Sequence, residues 1–214
     1  VYADLETTAL EIVSQARELN TWIERPYIKL PTNPQGLEAA SILSKEGILI
    51  NMTLCFTQKQ AAAVYSATAG SPQGSVFVSP FIGRLDDIGI QGMDLIKNIR
   101  DMYSKSDHHV ELLTASVRSL KHFLYALYLE VDIITAPFEI LEEWSAKGKP
   151  VPGKDLSDSE FSNISKYFNS NLESIPYEDI DLTSDFKEFD VSHELTKKGI
   201  EKFASDWNSL LKID

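Results

Sequence analysis

The sequence predicts an α/β protein built on a parallel sheet, and three observations carry that prediction. Short apolar runs recur roughly every 20–35 residues, with a helical pattern between each pair. The runs are nearly continuous rather than alternating, as expected of strands covered on both faces. Polar residues collect at the C-terminal ends of the runs: Lys29, Asn51, Thr53, Ser79, Ser116 and Arg118. Closed barrels build their active sites at that face. An open doubly wound sheet and a closed barrel both fit this pattern. The sequence has neither the dinucleotide glycine fingerprint nor a P-loop, which weakens the open sheet.

VYADLE (1–6) reads as a strand, and Thr7-Thr8 is a good N-cap pair for the helix that follows. That helix places Leu10, Ile12, Val13, Ala16, Leu19 and Ile23 at helical spacing. YIKL is the second strand. Pro34-Gln-Gly36 then opens a helix that stops at Gly47. ILINMTLCF (48–56) is the third strand, with Thr57 capping QKQAAAVYSATA. SVFVSPF (75–81), HVELLTAS (109–116) and VDIITAP (131–137) are the fourth, fifth and sixth, each followed by a helical pattern. Residues 1–147 thus supply six strand–helix units of one domain. A (β/α)8 TIM barrel needs eight. The chain begins at Val1, inside a strand, so the first two βα units are expected upstream of it.

From residue 148 the texture changes to a polar, acidic stretch rich in Ser, Asn and Asp that runs to 192. Its aromatics, Phe161, Tyr167, Phe168, Tyr177, Phe186 and Phe189, suggest an extension packed on the barrel. Residues 193–214 read as an amphipathic closing helix carrying Leu195, Ile200, Phe203, Trp207, Leu210 and Leu211.

Composition narrows the function classes. With 214 residues and 43% hydrophobic content the chain has a real core. A net charge of −12 argues against a nucleic-acid partner, which needs a basic face. It leaves room for a small anion, because two arginines can dominate within a Debye length of about 8–10 Å. No apolar run is long enough to cross a bilayer, and no signal-peptide pattern opens the chain. One cysteine fits a reducing compartment, so a cytoplasmic location is expected.

Lys29 in YIKLPTN is the residue that asks for an explanation. Burying an unpaired ammonium is costly, and the usual escape is loss of the proton. Either Lys29 snorkels or pairs, as strand-end lysines commonly do, or it is wanted as a neutral amine. A neutral amine attacks carbonyls, and the protonated imine it forms is an electron sink for aldolase-type chemistry. Asn51 and Thr53 lie two apart and point to one side of their strand. Ser79 and Arg84 in SPFIGRLDD, with Ser116 and Arg118 in TASVRS, could clamp a phosphate. Singly, each arginine reads better as half of a surface ion pair; together, on one rim with a strand lysine, the phosphate site is the better reading.

The stretch YIKLPTNPQGLEAASILSKEGILINMTLCFTQKQA, followed by VSPFIGRLDD, resembles the transaldolase family, which also ends in a helix similar to KGIEKFASDW. In that family an IKIP-T strand carries the Schiff-base lysine, and N-TL-FS and SPFVGR-D strands follow. The resemblance implies a barrel in which residues 1–6 are the third strand. Position by position, it implies Lys29 as the Schiff-base lysine, Asn51 on the sugar, Thr53 on the catalytic water and Ser79 lining the site. Arg84, Arg118 and Ser116 match phosphate-binding positions. Asp4 falls where the family usually has Glu or Gln beside the water and is one methylene shorter. The family's general-acid aspartate and its second-strand Thr-Asn-Pro motif belong to the first two strands, which are expected upstream of residue 1. Phe81 stands where the aldolase branch carries tyrosine and transaldolases carry phenylalanine.

The implied activity is transfer of a dihydroxyacetone unit between sugar phosphates in the pentose phosphate pathway. Fructose 6-phosphate, sedoheptulose 7-phosphate, erythrose 4-phosphate and glyceraldehyde 3-phosphate would be the substrates. No metal or other cofactor is expected, and neither is a membrane partner; a homo-oligomer is. Fructose-6-phosphate aldolase activity is the alternative within the class, and a non-catalytic sugar-phosphate-binding barrel the alternative outside it. The remaining features read blandly. Cys55 reads as a buried, inert thiol and Asp107-His108-His109 as a solvated turn. His122 and His193 have no partner legible in sequence. Tyr125, Tyr128, Trp144 and Trp207 read as packing residues.

Overall fold

A computed structural model describes residues 1–155 and 171–211. The chain forms two compact units: unit 1 comprises Val1–Ser79, Ser106–Glu111 and Ile180–Asp214, and unit 2 comprises Pro80–Lys105 and Leu112–Asp179. The expected segments 1–147, 148–192 and 193–214 do not coincide with these units, since residues from the last two appear in unit 1. Phe161, Tyr167 and Phe168 of the acidic extension lie outside the described residues.

Unit 1 opens with a correction. Residues 1–6 form no strand. Their amides are taken by side chains instead of a neighbouring strand: Tyr2 N donates to Gln15 Oε1 at 2.9 Å, Asp4 N to Thr7 Oγ1 at 3.0 Å, and Glu6 N to Asp4 Oδ1 at 3.0 Å. Helix α1 (Ala9–Leu19) starts at a capping box in which Thr8 and Glu11 exchange backbone and side-chain bonds. It buries Ala9, Ile12, Val13 and Ala16. Leu10 and Ile23, expected on the buried stripe, are 73% and 68% exposed. The helix ends at Leu19, capped by Asn20, short of Ile23, and Arg25, just before Pro26, adopts φ +56°.

Strand β1 (Ile28–Pro31) leads into α2 (Pro34–Leu43), capped by Asn33, whose side chain accepts from Gly36 N at 2.8 Å. Pro34 at the first helical positions needs no amide donor. Gly36 has no room for a side chain, because a Cβ would collide with the Pro31 carbonyl. Strand β2 (Ile50–Cys55) pairs parallel with β1 in the register Ile28↔Ile50, Lys29↔Asn51, Leu30↔Met52, Pro31↔Thr53. Helix α3 (Gln58–Ala67) begins at a second capping box, Thr57 with Gln60. Strand β3 (Val76–Pro80) follows, giving the order β1-β2-β3. The core of this unit includes Leu30, Leu37, Leu43, Ile50 and Met52. The closing helix, α8 (Glu194–Leu211), buries Thr196, Gly199, Ile200 and Ala204.

Unit 2 holds the short helix α4 (Ile82–Asp86), then α5 (Gly92–Tyr103), β4 (Val110–Thr114, most of which lies here), α6 (Leu120–Tyr128), β5 (Ile133–Ile134) and α7 (Phe138–Ala146). The end of the SPF segment pairs with the end of β4: Phe81 bridges Ala115 in parallel, and Ala115 N donates to Pro80 O at 3.0 Å. Strand β5 pairs parallel with β4, Leu113↔Ile133 and Thr114↔Ile134. It has two residues where seven were expected, because Asp132 meets Leu112 N with its carboxylate, at 2.7 Å, and leaves the ladder to begin at Ile133. All the strand pairs named are parallel and helices separate the strands in sequence, so the α/β expectation holds. Among the described residues no helix is long and apolar enough to cross a membrane.

Candidate active site

Lys29 faces a cavity of about 580 Å³ within unit 1, lined also by Gln15, Trp22, Pro31, Thr53, Phe203 and Trp207, among others. Alternation along β1 puts Lys29 and Pro31 on one side, and the register puts Asn51 and Thr53 beside them on the same side of β2. The expectation of a buried lysine is corrected: Lys29 is exposed. It lies on β1, with Asn51 of β2 as its register partner on one side and the Val1 amino group donating to its carbonyl at 3.3 Å.

Thr53 is 5% exposed, and its Oγ1 has no hydrogen-bond partner. A buried hydroxyl without a partner is rare and is a place where a ligand or water belongs. Leu54, next in the strand, sits at φ +59°. For a branched residue inside a strand this conformation costs on the order of 1–3 kcal/mol and marks a site whose surroundings over-determine it. It also breaks the alternation of faces, so Thr53 and Leu54 both line the cavity. Ser79, 1% exposed on β3, donates from Oγ to Asn51 Oδ1 at 2.6 Å. Lys29, Asn51 and Ser79 thus fall on three successive strands.

Asp4 is not brought to this cavity. Its carboxylate accepts from Thr7 Oγ1 at 2.7 Å, from Glu6 N at 3.0 Å and from Tyr2 OH at 3.2 Å. The Thr7 hydroxyl is the main reason its carboxyl titrates below the usual range. It lines a separate hollow with Glu201, Ser205 and Asn208.

Unit 2 gathers the other candidates. Arg84 lies on α4 with its guanidinium 5.1 Å from the centre of the Phe81 ring, itself almost fully buried. Burial lowers the pKa of Arg84, and the charge of Arg118 adds to the effect. The carboxylate of Asp87 opposes both effects. Gly83 is required there: a Cβ would collide with Ser116 O and the Arg118 side chain. Gly83 N donates to Ser116 O at 3.1 Å, and Ser116 itself sits at φ +59°. Arg118 is half exposed and forms a two-pronged pair with Asp87, 2.8 and 3.3 Å. The surface-pair reading therefore holds for Arg118 as it stands.

The backbone of Arg118 is tied to His122, which the sequence left without a partner. Arg118 N donates to His122 Nδ1 at 3.4 Å, and His122 Nε2 lies 2.9 Å from Asp86 Oδ2. Asp86 Oδ1 in turn accepts from Gly92 N at 2.9 Å. Back in unit 1, the solvated-turn reading of 107–109 fails at His109. That ring is 2% exposed and bonds Asp107 Oδ1 at 2.6 Å and Tyr65 O at 3.1 Å. Among the described residues no group of three or more His, Cys, Asp or Glu is arranged to hold a metal.

Comparison with known proteins decides the family. The Transaldolase/Fructose-6-phosphate aldolase family matches residues 1–213. The chain belongs to that family. A probable transaldolase of Brucella anthropi is 41% identical over 208 residues, 97% of this chain and 72% of that protein. One from Petrotoga mobilis is 37% identical over 175 residues, 81% of this chain and 75% of that protein. One from a Roseiflexus species is 40% identical over 141 residues, 64% of this chain and 62% of that protein. The parallel strands and intervening helices are those of an α/β fold, and the transaldolase/fructose-6-phosphate aldolase family is built on a (β/α)8 barrel.

Proposed function

We propose that the protein is a transaldolase that moves a dihydroxyacetone unit between sugar phosphates through a Schiff base on Lys29. The single observation that supports the reading is that Lys29 and Thr53, on a face shared with Asn51, line one cavity in a chain of this family. Lys29 Nζ adds to the ketose carbonyl, and the carbonyl oxygen leaves as water to give an iminium. The bond between C3 and C4 breaks, its electrons pass into the iminium to form an enamine, and the C4 hydroxyl gives up its proton as the aldehyde departs. The enamine carbon then attacks the aldehyde of the acceptor, and water releases the product.

In this reading Asn51, oriented by Ser79, bonds a substrate hydroxyl. The Thr53 hydroxyl holds the water that moves protons. Arg84, Arg118 and Ser116 bind the phosphate, with Arg118 exchanging Asp87 for it. Phe81 in place of tyrosine favours transfer over release of free dihydroxyacetone. Borohydride reduction with fructose 6-phosphate, followed by peptide mass spectrometry, tests the proposal: the expected adduct is on Lys29, and its absence rejects the reading. Product analysis with and without erythrose 4-phosphate separates transfer from aldol cleavage. The capture of Asp4 by Thr7 favours one other reading, a binder of sugar phosphates without turnover. Measured transfer would remove it.

A further inference from the structure

A buried network outside the residues given roles above converges on the strained turn beside Thr53. Gln60 is fully buried and makes five hydrogen bonds. Its Oε1 accepts from Phe56 N at 2.7 Å and Thr57 N at 3.2 Å. Its Nε2 donates to Thr32 O at 3.0 Å, Val191 O at 3.0 Å and Thr196 Oγ1 at 2.9 Å. Thr196, 3% exposed near the start of α8, passes the link on: its Oγ1 donates to Leu54 O at 2.9 Å. From the other side, Thr32 donates to Thr53 O with both its amide and its hydroxyl, each at 2.8 Å.

The carbonyls of Thr53 and Leu54 are therefore each gripped by a buried threonine. An ordinary strand residue needs no such help. Leu54 at φ +59° does, because that backbone conformation is disfavoured and persists only where its peptide groups are held. The same helix that supplies Thr196 supplies Ile200, Phe203, Ala204 and Trp207 to the wall of the cavity.

We propose that Thr196, oriented by Gln60, is a positioning residue that holds Leu54 in its left-handed conformation and so fixes the placement of Thr53 in the wall of the Lys29 cavity. This rests on the reading that Thr53 holds the water used for proton transfer. The network reaches the strand of Lys29 at Thr32, and none of the bonds named is made to Lys29, so the latch acts on Thr53 and leaves the amine in place.

The test uses Thr196→Val, which keeps the shape and removes the hydroxyl, with Thr196→Ser as the conservative partner. Thr196→Val is expected to lower kcat on the order of ten- to a hundredfold, the scale for misplacing a group that moves a proton. KM and the amount of borohydride-trapped adduct on Lys29 stay at the wild-type level, and Thr196→Ser restores kcat. A γ-methyl NMR resonance of Thr53 is expected to shift in Thr196→Val and return in Thr196→Ser. An unmoved Thr53 resonance overturns the proposal, as does an unchanged kcat or a parallel loss of adduct and turnover. If the wild-type protein forms no adduct, the catalytic reading fails while the resonance still decides whether Thr196 positions Thr53.

Discussion

Ser79 Oγ donates to Asn51 Oδ1 at 2.6 Å, linking the start of β2 to the end of β3. The bond fixes which end of the Asn51 amide is occupied, so the side chain presents one polar face instead of two. Ser79 is almost fully buried, so the bond is worth about 1 kcal/mol. Ser79→Ala is expected to raise KM for the ketose roughly fivefold, with a smaller change in kcat, as read in steady-state kinetics. An unchanged KM would show that Asn51 does not need the serine.

Asp86 and His122 brace the segments that carry the two arginines, since Asp86 ends α4 and His122 accepts from the amide of Arg118. Asp86→Ala is expected to weaken binding of inorganic phosphate by about tenfold, the scale of one charge-assisted bond and the geometry it holds. Titration calorimetry measures it. Trapping of unphosphorylated dihydroxyacetone on Lys29 should be untouched; if both fall together, the pair serves stability alone.

Asp87 competes with any anion for Arg118. The pair is about half exposed on both sides, so it contributes little stability, between 0 and about 1 kcal/mol. Asp87→Asn should leave the melting temperature nearly unchanged and tighten inorganic phosphate binding by roughly two- to fivefold at low salt, with the gain fading as ionic strength rises. Weaker binding in the variant would mean that Asp87 orients Arg118 and does not compete for it.

Burial pushes the Cys55 thiol up to about 12. In the unfolded chain the same thiol ionises near its ordinary value of roughly 8.5. The unfolded state therefore loses a proton that the folded state keeps. The stability contribution is fully present below the unfolded value and is lost as pH rises towards the folded one. Denaturant midpoints should fall between about pH 8.5 and 12, and part of that slope should vanish in Cys55→Ala. Native protein at pH 8 should react with iodoacetamide far more slowly than urea-unfolded protein. Equal rates would contradict the burial of the thiol.

Much of the local structure was legible in the sequence because it is written in nearest-neighbour chemistry. The Thr8 and Thr57 caps, the Pro34 start of α2, the apolar runs of β1 to β4 and the family motifs around Lys29 and Arg84 all act over a few residues. Where the reading failed, a distant partner decided. Residues 1–6 have the composition of a strand, but Gln15 and Thr7 take their amides. Seven residues around Ile133 look like a strand, yet the Asp132 side chain leaves two. His122 meets Asp86, and His109 is buried with Tyr65 packed against it, only once remote segments come together.

The sequence by itself determined that the chain is an α/β protein of the transaldolase type and which residues are candidates for its chemistry. Only the tertiary structure decided that Lys29 is exposed to its cavity, that Arg118 rests on Asp87, and that Gln60 and Thr196 grip the turn beside Thr53. The reason is one of range. Periodicity and capping depend on neighbours a turn away, whereas exposure, ion pairing and a left-handed strand residue depend on groups that meet only when remote segments pack.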